Sequence, residues 1–192
     1  MFVLGITGPS GAGKGTASRI LEDLGFYHID TDRLVPGLYP KALPTLVRAF
    51  GPQIEENGQI NKKALARAAF ASPEATEKLN SIIHPLVMHE VTELIRWAAQ
   101  NGYNAATVDG AALHEAHAET VCDKIICILA DKNERLNRVM KRDSIPVETA
   151  NLRFQAQKSD DYYAEKSDAV IINGTIDQLQ RDLFAIIKEW KL

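Results

Sequence analysis

GPSGAGKGT, Gly8 to Thr16, decides how this chain is read. It fits G-x-x-x-x-G-K, with Gly8, Gly13 and Lys14 at the fixed positions, and stands between the apolar run FVLGIT (2–7) and a helical pattern. In that setting side chains are removed so that successive backbone N–H groups can converge on phosphate oxygens, and the helix that starts there adds the positive end of its dipole. Lys14 brings a mobile charge for the β- and γ-phosphates. A glycine-rich turn can also serve only to join a strand tightly to a helix, but here the lysine and the flanking elements accompany it. One position departs from the usual pattern: Gly15 stands where such loops place the serine or threonine that holds magnesium. Thr16 follows at once, and its hydroxyl on the first helical turn can face the phosphates while a carboxylate at another strand end holds Mg2+ through water. Asp109, which closes the run ATVD, is the candidate for that carboxylate, with an ordinary turn or cap role as the alternative.

Outward from the loop, short apolar runs rich in β-branched residues alternate with helical patterns. The runs are FVLGIT (2–7), FYHID (26–30), YNAATVD (103–109), KIICILA (124–130) and AVIIN (169–173). Near-continuous hydrophobicity suits strands covered on both faces, so a five-stranded parallel sheet flanked by helices is expected. Thr16 to Leu24, stopped by Gly25, reads as the first helix. Between residues 31 and 102 there is no comparable strand run, only helical stretches around Ala42–Phe50, Lys62–Phe70 and Glu74–Gln100, so a helical insertion is expected there. Arg135, Arg138, Arg142 and Arg153 are spaced for one or two exposed helices broken near Pro146, and Ile176, Leu179, Leu183, Ile186, Ile187 and Trp190 form the apolar stripe of a last helix. Met88 and Trp97 read as core.

The 192 residues suit one compact α/β unit with appendages, and the net charge of −3 gives no global basic field for nucleic acid or anionic lipid. The opening MFVLGITG reads as a buried strand and not a signal peptide, and no run reaches the ~18 apolar residues of a membrane span. Cys122 and Cys127 read as buried thiols of a cytoplasmic protein. His114, Glu115 and His117 lack the spacing of a zinc motif.

A phosphate grip alone does not separate kinases from GTPase switches or ATP-driven machines. FYHIDTD (26–32) ends with Asp30 and Asp32 at the carboxyl edge of the sheet, where ligands of open α/β folds bind. An aspartate there can accept a proton from an attacking hydroxyl, which contributes about 10²–10⁴-fold. Thr31 is expected to begin a turn, with Asp30 capping the next helix. No N-K-x-D guanine-reading run follows a late strand; the nearest stretch is ADKNE (130–134).

Taken together, GPSGAGKGT, IDTD (29–32), the long stretch FGPQIEENGQINKKALARAAFASPEATEKLNSIIHPL (50–86), RVMKRD (138–143), LRFQAQ (152–157) and SDAVIING (167–174) resemble the dephospho-CoA kinase family over nearly the whole chain. The middle stretch carries the resemblance, because general nucleoside monophosphate kinases lack it. The resemblance implies a P-loop kinase that phosphorylates the ribose 3′-hydroxyl of dephospho-CoA with ATP and Mg2+. It further implies a nucleotide-binding core (about 1–31, 103–131 and 159–192), a helical acceptor-binding insertion (about 32–102) and a short lid (about 132–158). Asp32 would be the catalytic base, with Lys14 as its partner in catalysis. Gly11, Ala12, Gly13, Lys14, Gly15, Thr16, Arg138, Arg142 and Asn173 would bind ATP, and Asp32, His84 and Arg153 would bind the acceptor; Thr16 and Asp109 are the metal candidates. For the arginines a solvated helix face, and for His84 a structural role, are the alternatives. RLVPGLYPKAL (33–43) is shorter than the family's usual run and lacks its basic residue, and DGAALHEA (109–116) lacks the family's proline. The rival within the class is a cytidylate-type nucleotide kinase; the rival outside it is a non-catalytic nucleotide switch.

Overall fold

The computed structural model describes residues 1–155 and 157–192. Residue 156, inside the stretch expected as a lid, lies outside the described residues. The chain forms two compact units, one of Met1–Asp30 with Leu94–Leu192, the other of Thr31–Glu93.

In the first unit β1 (Phe2–Thr7), β2 (Tyr27–Asp30), β5 (Ala105–Asp109), β6 (Lys124–Leu129) and β7 (Ala169–Ile172) make one parallel sheet in the order β2-β5-β1-β6-β7. The expected five strands are present, and β1 is their centre. Because each central strand buries both faces, Leu4, Ile6, Ile126 and Ile128 join Leu21 of α1 (Lys14–Asp23) and Leu179 and Leu183 of α8 (Ile176–Glu189) in one core. Each such side chain contributes roughly 1.5–3 kcal/mol by leaving water. Thr175 caps α8 by accepting from the Gln178 N–H, and the helix buries Leu179, Leu183 and Ile187 while Ile186 and Trp190 pack at the margin. Ile176, expected on that stripe, is exposed at the helix's first position.

Two more expectations fail in this unit. Trp97, read as core, is half exposed and stacks with Tyr27 and Tyr103, its ring centre 5.3 Å from that of Tyr27. Arg135, read as facing solvent, is buried on α5 (Lys132–Asp143). It forms a two-pronged pair with Asp160 of α7 (Asp160–Glu165), at 3.1 and 3.2 Å, and lies over the ring of Phe154 on α6 (Val147–Gln155). Spacing alone marks that arginine like its neighbours; only tertiary packing distinguishes it. The break between α5 and α6 falls where Pro146 predicts, at Ser144 in the left-handed region. Both cysteines are free, and burial pushes each thiol up to about 12, with Asp123 adding for Cys122 and Asp160 for Cys127. Burial likewise lowers the His114 pKa. Among the described residues no three metal-ligating side chains gather into a cage, and no helix is long and apolar enough to cross a membrane.

The second unit holds α2 (Thr31–Phe50), the hairpin of β3 (Glu55–Glu56) and β4 (Gln59–Ile60), α3 (Lys62–Ala69) and most of α4 (Pro73–Gln100). Here the expectation of a turn at Thr31 and helix only from Ala42 is overturned, for α2 is helical from Thr31 onward, through Pro36, Pro40 and Pro44. Spaced by four, the prolines share one exposed stripe, while Leu38, Ala42 and Leu46 bury on another. The carbonyls that Pro40 and Pro44 leave without a helical donor therefore face water, which blunts the usual cost of an interior proline. The hairpin is too short to leave a pattern in the sequence; its Asn57-Gly58 turn, both residues at positive φ, suits a tight two-residue connection. Lys78 donates to the Ala49 carbonyl at 2.8 Å and Lys41 pairs with Glu90 at 3.5 Å, so α4 is tied to α2 at two heights.

Candidate active site

β1 delivers the chain to the carboxyl edge of the sheet, and the phosphate loop begins there at Gly8. Its φ of 133° and the Ile128 carbonyl oxygen, which any Cβ would strike, reserve the position for glycine. Gly13, left-handed at φ 110°, is the N-cap of α1 and offers no side-chain cap. In the first turn of α1 the Thr16 N–H donates to the Gly13 carbonyl at 3.0 Å, while the amides of Lys14 and Gly15 lie ahead of the helix's own hydrogen-bond ladder. This is the arrangement that gathers anions. Lys14 Nζ donates to the Gly8 carbonyl at 2.9 Å and approaches that of Pro9 at 3.4 Å, so its ammonium folds over the loop.

The second half of the chain encloses the loop from outside. Arg138 Nη1 donates to the Gly11 carbonyl at 3.2 Å, while its Nη2 reaches Glu134 Oε2 at 2.7 Å. The buried Asn173, just beyond β7, donates to the Ala12 carbonyl at 2.7 Å. Both residues are thus brought to the loop. Arg142 and Arg153 converge elsewhere: Arg142 Nε lies 2.7 Å from Asp143 Oδ1 and Arg153 Nη1 2.6 Å from Oδ2. The hydrogen bond from Arg142, with Arg153 behind it, holds the Asp143 carboxyl below its usual range.

Asp109 is buried at the end of β5 and paired in register with Asp30. Its Oδ2 accepts from Ser18 Oγ at 3.0 Å and lies 3.6 Å from His28 Nε2. Neither neighbour stands out in the sequence, although Ser18 lies one helical turn after Lys14 and His28 two residues before Asp30, both spacings that place them on the relevant faces. A carboxylate at a strand end and the Thr16 hydroxyl on the first turn of α1 are hard oxygen donors. They suit a cation that keeps most of its waters, such as magnesium, better than they suit zinc. In the second unit Asp32 is exposed in the first turn of α2, and His84 is half-buried near the middle of α4, directly before Pro85.

A parallel sheet with this strand order, a glycine-shaped loop opening α1, and a carboxylate at the neighbouring strand end define a P-loop kinase fold. A model of the dephospho-CoA kinase family matches residues 2–178. The dephospho-CoA kinase of Carboxydothermus hydrogenoformans is 32% identical over 194 residues, covering 98% of this chain and 94% of its own. Among solved structures, TT1252 of Thermus thermophilus has a TM-score of 0.83 at 28% identity, covering 98% of this chain and 97% of that one. The dephospho-CoA kinase of Campylobacter jejuni shares the fold, with a TM-score of 0.62 at 23% identity over 97% of this chain and 96% of that one. The chain belongs to the dephospho-CoA kinase family.

Proposed function

We propose that this protein transfers the γ-phosphoryl group of ATP to the ribose 3′-hydroxyl of dephospho-CoA, giving CoA and ADP. The observation that carries this reading is the family match across residues 2–178, which takes in both the phosphate loop and the long middle stretch. A cytidylate-type acceptor is not favoured by it.

In the proposed reaction the amides from Gly11 to Thr16 cradle the nucleotide's phosphates. Lys14 leaves the Gly8 carbonyl to follow the charge on the transferred group. Arg138 and Arg142, on a segment that closes as a lid, neutralise its equatorial oxygens and exclude water. Asn173 holds the loop through Ala12 and so supports ATP binding. On the acceptor side, His84 and Arg153 bind dephospho-CoA. Asp32 takes the proton from the 3′-hydroxyl as that oxygen bonds to the γ-phosphorus and the bond to the β–γ bridging oxygen breaks, releasing ADP. Thr16 and Asp109, the latter through water, would hold the magnesium that accompanies ATP, whose charge lowers the repulsion between phosphates and attacking oxygen. The proposed location is the cytoplasm, in keeping with two free cysteines.

The test is an ADP-release assay with dephospho-CoA, CMP or no acceptor, with the product identified by mass. Dephospho-CoA alone is expected to drive turnover, with CoA as product. Equal turnover with CMP would transfer the protein to the cytidylate-type class, and ATP binding without turnover on any acceptor would make it a nucleotide-binding module.

A further inference from the structure

Ser10 lies in the first half of the phosphate loop, and one distant residue engages both its main chain and its side chain. Gln157 Oε1 accepts from the Ser10 N–H at 3.1 Å, and Gln157 Nε2 donates to Ser10 Oγ at 2.6 Å. A side-chain amide with its donor and its acceptor on the same residue fixes orientation as well as distance. The Ser10 N–H is therefore spoken for inside the protein.

Gln157 is itself anchored. Its N–H reaches the Phe154 carbonyl at 3.3 Å, the Phe154 ring lies under the buried Arg135 guanidinium, and Arg135 is pinned by Asp160. The main chain of Arg135 in turn presses on the loop's next residue, for a Cβ on Gly11 would stand 2.6 Å from the Arg135 carbonyl oxygen. The segment from α5 to α7 thus meets two consecutive loop residues, Ser10 through a side-chain amide and Gly11 through close backbone approach. Lys14 steadies the preceding residues, Gly8 and Pro9, but its ammonium must move when phosphates arrive. Gln157 need not.

We infer that Gln157 is a positioning residue for the phosphate loop. By holding Ser10 it keeps the amides that follow in their phosphate-binding arrangement before nucleotide arrives, and it makes the tightness of ATP binding depend on the α5–α7 segment. The inference rests on the ATP-dependent reading above. Its physical basis is pre-organisation: a loop ordered in advance loses less freedom on binding, so the effect falls on affinity and not on the chemical step.

The experiment measures the ATP dissociation constant by calorimetry, together with KM and kcat, for the parent, Gln157→Ala, Ser10→Ala and the double variant, with the thermal midpoint of each. Loss of both bonds in Gln157→Ala is expected to weaken ATP binding about tenfold and raise KM in step, with kcat at saturation within about threefold. Ser10→Ala, which loses only the hydroxyl bond, is expected to cost about threefold, and the double variant to bind no more weakly than Gln157→Ala. Unchanged ATP affinity in Gln157→Ala, even with a lowered thermal midpoint, overturns the inference, as do losses that simply multiply in the double variant. If Gln157→Ala does not fold, Ser10→Ala decides: parent-like affinity sinks the idea. A parent that itself fails to bind ATP refutes the function and not this coupling alone.

Discussion

Two of the strand-to-helix junctions in this protein, β1 to α1 and β2 to α2, are built on different principles. Between β1 and α1 stand six residues, Gly8 to Gly13, and the turn is made by backbone freedom at glycines. Between β2 and α2 stands nothing: Asp30 ends the strand and Thr31 begins the helix. The first junction empties itself of side chains so that amides can grip an anion, while the second keeps its side chains, placing Asp32 in the first helical turn. A helix start can therefore serve as a binding surface made of backbone or as a mount for one chemical group. Under the proposed function the first holds the donor and the second acts on the acceptor.

That division fixes where mutational effects should fall, and the largest belongs to the second junction. Asp32→Asn is expected to lower kcat about 10²–10⁴-fold, the range of a general base, while ATP affinity stays within about twofold. Single-turnover kinetics beside ATP calorimetry would check this. A variant that turns over like the parent removes the chemical role of α2's first turn and, with it, the contrast.

The corresponding change at the first junction should act on folding. Gly8→Ala places a Cβ against the Ile128 carbonyl oxygen at a φ of 133° that alanine rarely adopts. A loss of about 3 kcal/mol in urea unfolding is expected, because strain and overpacking add at one site. A variant as stable as the parent would mean that the loop relaxes easily, and that its glycines are not set by the backbone of β6.

This contrast also explains what could be read in the residues alone. A phosphate loop is governed by local backbone geometry, so Gly8, Gly13 and Lys14 mark it in the sequence, and the five strands show themselves by short apolar runs, although β7 leaves Val170 and Ile172 exposed instead of covered on both faces. Asn173 and Arg138 belong to the same loop in space, but only the family resemblance pointed to them. Ser18 and His28 beside Asp109 are silent because a serine within a helix and a histidine within a strand carry no local signal. At α2 the local signal is misleading: prolines at every fourth position disfavour a helix, yet a burial stripe of Leu38, Ala42 and Leu46 outweighs them. Arg135 fails for the same reason, its partners Asp160 and Phe154 being far along the chain from it.

If tertiary burial does hold α2 together against its prolines, relieving one should stabilise the protein. Pro40→Ala restores an N–H for the Pro36 carbonyl on the exposed stripe, and a gain of about 1–2 kcal/mol is expected after the looser unfolded chain is counted. Chemical unfolding measures it. A loss of stability instead would show that the prolines shape α2 favourably and are not merely tolerated. A gain in stability with lowered turnover would tie the prolines of α2 to the chemistry mounted at its start.

The smallest effect sharpens the comparison from the side of the α5–α6 segment, where Arg142 and Arg153 meet on Asp143 instead of on the loop. Arg142 first, then Arg153, holds the Asp143 carboxyl below its ordinary value, so the folded state binds its proton less readily than the unfolded chain does. A depressed carboxylate contributes stability that is present above the unfolded value of about 3.9 and lost as pH falls through the lower folded value. The arginines are half exposed or more, so water and salt screen the pairs, and less than about 1 kcal/mol is expected. Asp143→Asn should therefore be slightly less stable than the parent at neutral pH, with the gap closing below about pH 4 and shrinking in high salt. A gap that persists unchanged in acid would trace the effect to packing of the side chain, and the arginine cluster would then have no electrostatic hold on the segment that carries Gln157 to the loop.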